Sequence, residues 1–230
     1  ENGIEIKPLI QQIFENLFTI GIREFCFISG KTKRSLQDHF YPDQQQDIPP
    51  SLSNFYEMII NSQIAWINQL IPKGFGDAVL ESKSFVNNDV FLVQAGDVVI
   101  SSQIHSSINK LIELSKNDDI EAAFLVQTVT DPERHGIVTT EKDESISLVT
   151  KVVEKPKDPE TNIGIMPFYF FRSSIFDALG STTPGYGNEI QLTDAIQKLI
   201  ESGKNVAAIK MDKETILDVG TPESYWNALN

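Results

Sequence analysis

At 230 residues, with 40% hydrophobic and 22% charged residues, the chain has the mix of an ordinary globular protein and length enough for one large α/β domain or two small ones. A formal net charge of −13 argues against broad electrostatic binding to nucleic acid or to an anionic membrane surface. It leaves room for a phosphate ligand, because a metal ion or a few lysines can reverse the field locally. No apolar run is long enough to span a bilayer, and no secretory leader is read at the start. The lone cysteine, Cys26, cannot form an internal disulfide, which fits a cytoplasmic setting. His39, His105 and His135 are scattered without metal-ligand spacing.

In chain order, Ile10, Ile13, Phe14, Leu17 and Phe18 carry helical spacing, and Gly21 closes that helix. Glu24–Ser29 reads as a buried strand in which Cys26 packs as a small hydrophobe, and Lys33–Phe40 as a short surface helix. A loop over 41–50 contains Pro42, Pro49 and Pro50. A helix is predicted over Phe55–Asn61, a strand over Ile64–Ile67, a loop over 70–76 and a helix from Asp77 to Lys83. The mostly apolar run Val90–Ala95 predicts a buried parallel strand that stops at Gly96-Asp97. A helix over Ile104–Leu114 and a strand over Ala122–Val126 continue the alternation, which indicates a mainly parallel, wound sheet. After Asp131 the pattern changes. Gly136–Thr140 and Ser145–Val153 read as a β pair around a polar turn, followed by a strand over Ile163–Phe171 and a helix over Ser173–Leu179. An amphipathic helix is predicted over Glu189–Ile200, strands over Val206–Met211 and Thr215–Asp218, and a final helix over Pro222–Leu229. No linker, repeat or low-complexity stretch divides the chain, which reads as one domain.

Ligands of wound α/β sheets bind outside the carboxyl ends of the strands, where Asp97 would hold a cation and, through it, phosphate. A plain turn or helix cap is equally open for Gly96-Asp97 taken alone. The other motifs are Lys7-Pro8-Leu9-Ile10-Gln11 with Gly21-Ile22-Arg23, and Gln69-Leu70-Ile71-Pro72-Lys73-Gly74-Phe75-Gly76-Asp77. They continue with Arg134-His135-Gly136, Val153-Glu154-Lys155-Pro156, Gly187-Asn188-Glu189-Ile190-Gln191-Leu192-Thr193-Asp194 and Asp218-Val219-Gly220-Thr221-Pro222. In this order, and over nearly the whole chain, they resemble the sugar nucleotidyltransferase family, within it the uridylyltransferases and thymidylyltransferases that use glucose-1-phosphate.

The resemblance implies a Rossmann-like mixed, mainly parallel sheet flanked by helices, in a single domain over 1–230. Its nucleotide-binding half would be 1–130 and its sugar-binding half 131–230. It implies transfer of a nucleotidyl group from UTP, or dTTP, to glucose-1-phosphate, with pyrophosphate leaving. Asp97 and Asp218 would hold Mg²⁺, a cation suited to hard carboxylate oxygens. Lys155 would meet the sugar phosphate, and Lys155 and Asp97 are the expected catalytic residues. Gln69 and Gly74 would contact the base, and Gly136, Glu154 and Glu189 the sugar. Each has a plainer reading: a surface Glu-Lys pair for Glu154-Lys155, a carboxylate suited to a helix dipole for Glu189, a β-turn for Gly136 and a polar loop residue for Gln69. Self-association into a homo-oligomer is a further family expectation.

Three departures accompany the resemblance. The family's opening strand and Gly-rich phosphate loop have no counterpart in the sequence, and Lys7-Pro8 corresponds to a later lysine-proline pair. A sheet without its central strand would leave an exposed edge, so the expectation is omission from the given chain rather than true loss. True loss would favour the alternative of a non-catalytic homologue that binds a nucleotide sugar. Asp77 stands where the uridylyltransferases usually carry histidine, and Pro167 stands where the family has glycine near the sugar.

Overall fold

The computed structural model describes residues 7–30, 33–41, 49–100, 105–211 and 216–218. The elements are α1 (Leu9–Thr19), β1 (Glu24–Gly30), α2 (Arg34–Phe40), α3 (Ser53–Ile60), β2 (Gln63–Gln69), α4 (Phe75–Glu81), α5 (Lys83–Val86), β3 (Phe91–Gln94) and β4 (Val98–Ile100). Then come α6 (His105–Ser115), β5 (Ala122–Thr128), β6 (Gly136–Thr140), β7 (Ile146–Glu154), β8 (Ile163–Phe171), α7 (Ser174–Gly180), α8 (Leu192–Glu201), β9 (Val206–Lys210) and β10 (Ile216–Asp218). The predicted helix over Pro222–Leu229 lies outside the described residues.

Two compact units emerge. The first takes its described residues from Glu1–Leu70, Gly96–Ser102 and Ile216–Asn230, the second from Ile71–Ala95 and Gln103–Thr215. This division differs from halves meeting at residue 130. β5, from before that point, pairs with both β8 and β9, from after it, so all three belong to one sheet.

In the first unit β1 and β2 run parallel, in register from Glu24 opposite Gln63 to Gly30 opposite Gln69. Around them the apolar stripe of α1 meets an aromatic cluster of Phe14, Phe25, Phe40 and Phe55, all buried. The Phe14 and Phe25 rings lie 4.6 Å apart, and Phe27 stacks on Trp66 at the same distance. Cys26, predicted to be buried, is only half-buried, and burial still raises its thiol to about 11, well away from the reactive thiolate. β4 and β10 form a separate antiparallel pair.

The second unit is built on a six-stranded sheet in the order β3-β8-β5-β9-β7-β6. The mixed α/β class stands, but the expectation of a mainly parallel sheet does not. Among the described strands β1–β2 and β5–β9 are parallel and the other pairings antiparallel. Alternation of strands and helices along the chain does not fix which strands become neighbours. Here β8 inserts between β3 and β5 and runs against both. For the same reason the run at Val90–Ala95 gives a short, half-buried β3 at one end of the sheet order, antiparallel to β8, rather than a buried parallel strand.

Pro167 occupies the register shift of β8 between the pairs Phe124–Tyr169 and Leu125–Met166. Proline is tolerated in this inner strand because a bulge leaves its residue out of the ladder, where no N–H is required. Its carbonyl still accepts from the Ala95 N–H at 3.2 Å. Helix α8 buries Leu192, Ala195, Ile196 and Leu199, a stripe at helical spacing, against the sheet. It starts at Leu192, later than predicted. Glu189 has extended backbone (φ −116°, ψ 153°) after a turn over Tyr186–Asn188, so its carboxylate is not in the first helical turn; Asp194 is.

Candidate active site

The C-terminal end of β7 carries Glu154 and Lys155. Glu154 pairs with Gly136 across the β6–β7 ladder. From α8, Thr193 Oγ1 donates to Glu154 Oε2 at 2.9 Å, while the Lys155 ammonium sits 3.6 Å from Oε1. The Glu154 side chain is only 13% exposed; Oε2 accepts the Thr193 hydrogen bond, and Oε1 faces the Lys155 charge. Burial and the Glu154 carboxylate together push Tyr169 upward, because ionising the phenol would put a second negative charge nearby in the core.

Gly136 is required at its position. A Cβ there would fall 2.7 Å from Thr193 Cγ2 and 3.3 Å from Glu154 Oε2, in the middle of the hydrogen bond that holds Glu154. Gly74 is required for two reasons: its φ of +113° is a left-handed conformation, and a Cβ would meet Ile190 O at 2.7 Å and Glu189 Cβ at 2.8 Å. The Gly74 loop and the segment before α8 are stitched together by backbone bonds, Ile190 N–H to Lys73 O at 2.7 Å and Gly76 N–H to Ile190 O at 2.9 Å. Glu189 is exposed beside this seam, 3.4 Å from Gln191 Nε2. Gly136, Glu154, Lys155 and Thr193 thus form one corner of the second unit, and Gly74 and Glu189 meet in the same unit on the segment that leads into α8. Asp77 is half-buried in the first turn of α4, where a carboxylate suits the helix dipole.

In the first unit, Gln69 ends β2 and is 8% exposed, opposite Gly30 at the end of β1. Asp97 is exposed on the turn between β3 and β4. The antiparallel β4–β10 pair sets Asp218 opposite Val98, one residue from Asp97. Two aspartates far apart in sequence are therefore neighbours in backbone register. Among the described residues no group of three or more His, Cys, Asp or Glu side chains forms a metal cage. The exposed Asp97 carries hard carboxylate oxygens, a donor type that suits a divalent cation completing its shell with water and phosphate oxygens.

Two residues of this corner were not singled out by sequence reasoning. Thr193 lay inside a quoted motif, but its role appears only when α8 is laid against β7. Tyr186, an exposed aromatic between Gly185 and Gly187, places its ring 5.1 Å from the Lys155 ammonium. An aromatic flanked by glycines on a loop is a signal the sequence did offer.

The sheet and this corner define a nucleotidyl-transfer scaffold, and the chain belongs to the nucleotidyl transferase family, whose profile matches residues 4–230. It is 32% identical over 237 residues to a UTP–glucose-1-phosphate uridylyltransferase of Pseudomonas aeruginosa, covering 97% of this chain and 84% of that one. It is 34% identical over 207 residues to the protein of the same name from Staphylococcus epidermidis, covering 84% and 70% of the two chains. A crystal structure of UDP-glucose pyrophosphorylase complexed with UDP-glucose superposes with a TM-score of 0.87 at 27% identity, over 96% of this chain and 85% of that one. Among the described residues no helix is long and apolar enough to cross a membrane.

Proposed function

We propose that the chain is an enzyme that transfers the uridylyl group of UTP to glucose-1-phosphate, giving UDP-glucose and pyrophosphate. The observation that carries this reading is the assembled Gly136–Glu154–Lys155–Thr193 corner in a chain aligned almost end to end with a uridylyltransferase. A phosphate oxygen of the sugar phosphate attacks the α-phosphorus of UTP. A new P–O bond forms, the bond to the bridging α–β oxygen breaks, and pyrophosphate leaves with that electron pair. Both reactants are polyanions, so the protein's task is to neutralise charge and hold the groups in line.

Lys155 supplies a fixed positive charge for the sugar phosphate, held by a carboxylate that is itself held by Thr193. Glu189, exposed and carried on a segment stitched to the Gly74 loop, accepts from sugar hydroxyls, and Gln69 offers donor and acceptor to the uracil edge. Asp97 and Asp218 would hold Mg²⁺, which when bound supplies Lewis-acid stabilisation of phosphoryl oxygens. Charge-dense soluble substrates and a single cysteine, which can form no internal disulfide, support a cytoplasmic setting.

The test is pyrophosphate release by the full chain with glucose-1-phosphate and each nucleoside triphosphate in turn. The expected result is turnover with UTP well above that with dTTP or the other triphosphates, lost on Asp97→Ala. Absence of turnover above the Asp97→Ala protein with every nucleotide and several sugar phosphates would refute the reading.

A further inference from the structure

Lys155 is held in an unusual way. Its backbone is left-handed, with φ of 43°, and its N–H donates to His135 O at 3.0 Å. Its ammonium lies 3.6 Å from Glu154 Oε1, close enough for Coulomb attraction but beyond hydrogen-bond reach. Its other neighbour is the Tyr186 ring, at 5.1 Å from the centroid. An aromatic face attracts a cation through its quadrupole yet offers no lone pair to its N–H groups. Among the described residues the ammonium is therefore located by two neighbours while donating a hydrogen bond to neither.

Tyr186 is itself fixed. Tyr186 is 55% exposed, but the turn that carries it is held by hydrogen bonds. Gly185 N–H donates to Glu189 O at 2.8 Å and Asn188 N–H to Gly185 O at 3.0 Å. The buried Gln191 amide donates to the Tyr186 carbonyl at 2.9 Å. Gly187 and Asn188 both lie in the left-handed region, with φ of 67° and 59°, which closes the turn tightly. A large ring kept in water on a braced turn, beside a lysine whose N–H donors are open to solvent, is an arrangement that makes sense when an anion arrives.

We propose that Tyr186 is a positioning residue: its ring holds the Lys155 ammonium in place with its N–H donors directed to an incoming sugar phosphate. The inference rests on the transferase reading for the identity of that anion, but the lysine–ring geometry stands apart from it.

The experiment measures initial rates of the full chain against glucose-1-phosphate and UTP for the parent, Tyr186→Ala, Tyr186→Phe, Lys155→Ala and the double variant. A partly exposed cation–π contact predicts that Tyr186→Ala raises KM for glucose-1-phosphate about two- to fivefold and leaves KM for UTP unchanged. Tyr186→Phe, which keeps the ring, stays at the parent value. In the Lys155→Ala background the tyrosine substitution has no further effect. An unchanged KM in Tyr186→Ala, a Phe variant as poor as the Ala variant, or full additivity with Lys155→Ala would overturn the proposal. A parent protein with no turnover would count against the transferase reading instead. The proposal is then decided by the acetylation rate of Lys155, followed by mass spectrometry in the parent and in Tyr186→Ala. Removing the ring that covers the ammonium opens it to the reagent and should speed acetylation about two- to fivefold, and an unchanged rate would overturn it.

Discussion

Glu154, at the C-terminal end of β7, and Asp97, on the turn that follows β3, are both carboxylates, yet the fold treats them in opposite ways. Glu154 is 13% exposed, with one oxygen hydrogen-bonded to Thr193 and the other facing Lys155. Asp97 is exposed on the turn between β3 and β4, with Asp218 as its register neighbour's partner. A carboxylate whose task is to aim a lysine can be built in advance, because its counter-charge belongs to the same chain. A carboxylate that waits for a cation has to stay in water until the cation arrives, since burying it unpaired would cost several kcal/mol. Preorganisation is thus concentrated at the Glu154 corner, while Asp97 keeps a hydrated carboxylate that a ligand could collect.

The largest effect is expected where the ligand supplies the missing charge. Asp97→Asn should lower pyrophosphate release about 10²- to 10³-fold, the loss typical of removing one electrostatic stabiliser of the transition state. Because Asp97 is exposed, its melting curve should match the parent's; a large drop in melting temperature would show that Asp97 is structural.

The prebuilt corner should respond the other way, through the fold as well as the chemistry. Gly136→Ala places a methyl 2.7 Å from Thr193 Cγ2 and should destabilise the chain by about 1–3 kcal/mol in urea melts. Thr193→Val keeps the shape but removes the donor to Glu154 Oε2, leaving a mostly buried carboxylate oxygen unpaired. That should cost about 1–3 kcal/mol, with a raised KM for glucose-1-phosphate that Thr193→Ser restores. Equal stability of Thr193→Val and the parent would break the contrast with Asp97.

The smallest effect belongs to the aromatic cluster of the first unit. His39 stacks on Phe55 at 5.2 Å, and its Nε2 lies 2.9 Å from Gln11 Oε1. Burial lowers its affinity for a proton below the ordinary value of 6.5. The unfolded chain then binds that proton first, so stability is complete above pH 6.5 and falls as the pH drops below it. Melting temperature followed from pH 8 to pH 5 should fall by less in His39→Gln than in the parent; parallel curves would show that His39 contributes nothing to the slope.

Much of this protein is legible along the chain. The periodicity of Ile10, Ile13, Phe14 and Leu17 specifies α1, the alternation in Gly136–Thr140 and Ser145–Val153 specifies the β6–β7 pair, and the motif order specifies the family. These are local properties: propensity, spacing and side-chain type act within a few residues. Partnership is not local. That β8 runs between β3 and β5, that Pro167 falls in a bulge, and that Glu189 precedes α8 rather than opening it were settled by packing between distant segments. The site divides in the same way. Which residues carry charge and which loops carry glycine follow from residue order alone. That Thr193 holds Glu154, that Tyr186 stands over Lys155 and that Asp218 comes into register beside Asp97 follow from how distant segments pack. A hydrogen bond, a cation–π contact and a strand register each depend on ångström distances between residues that are remote in sequence, and no local pattern encodes those distances.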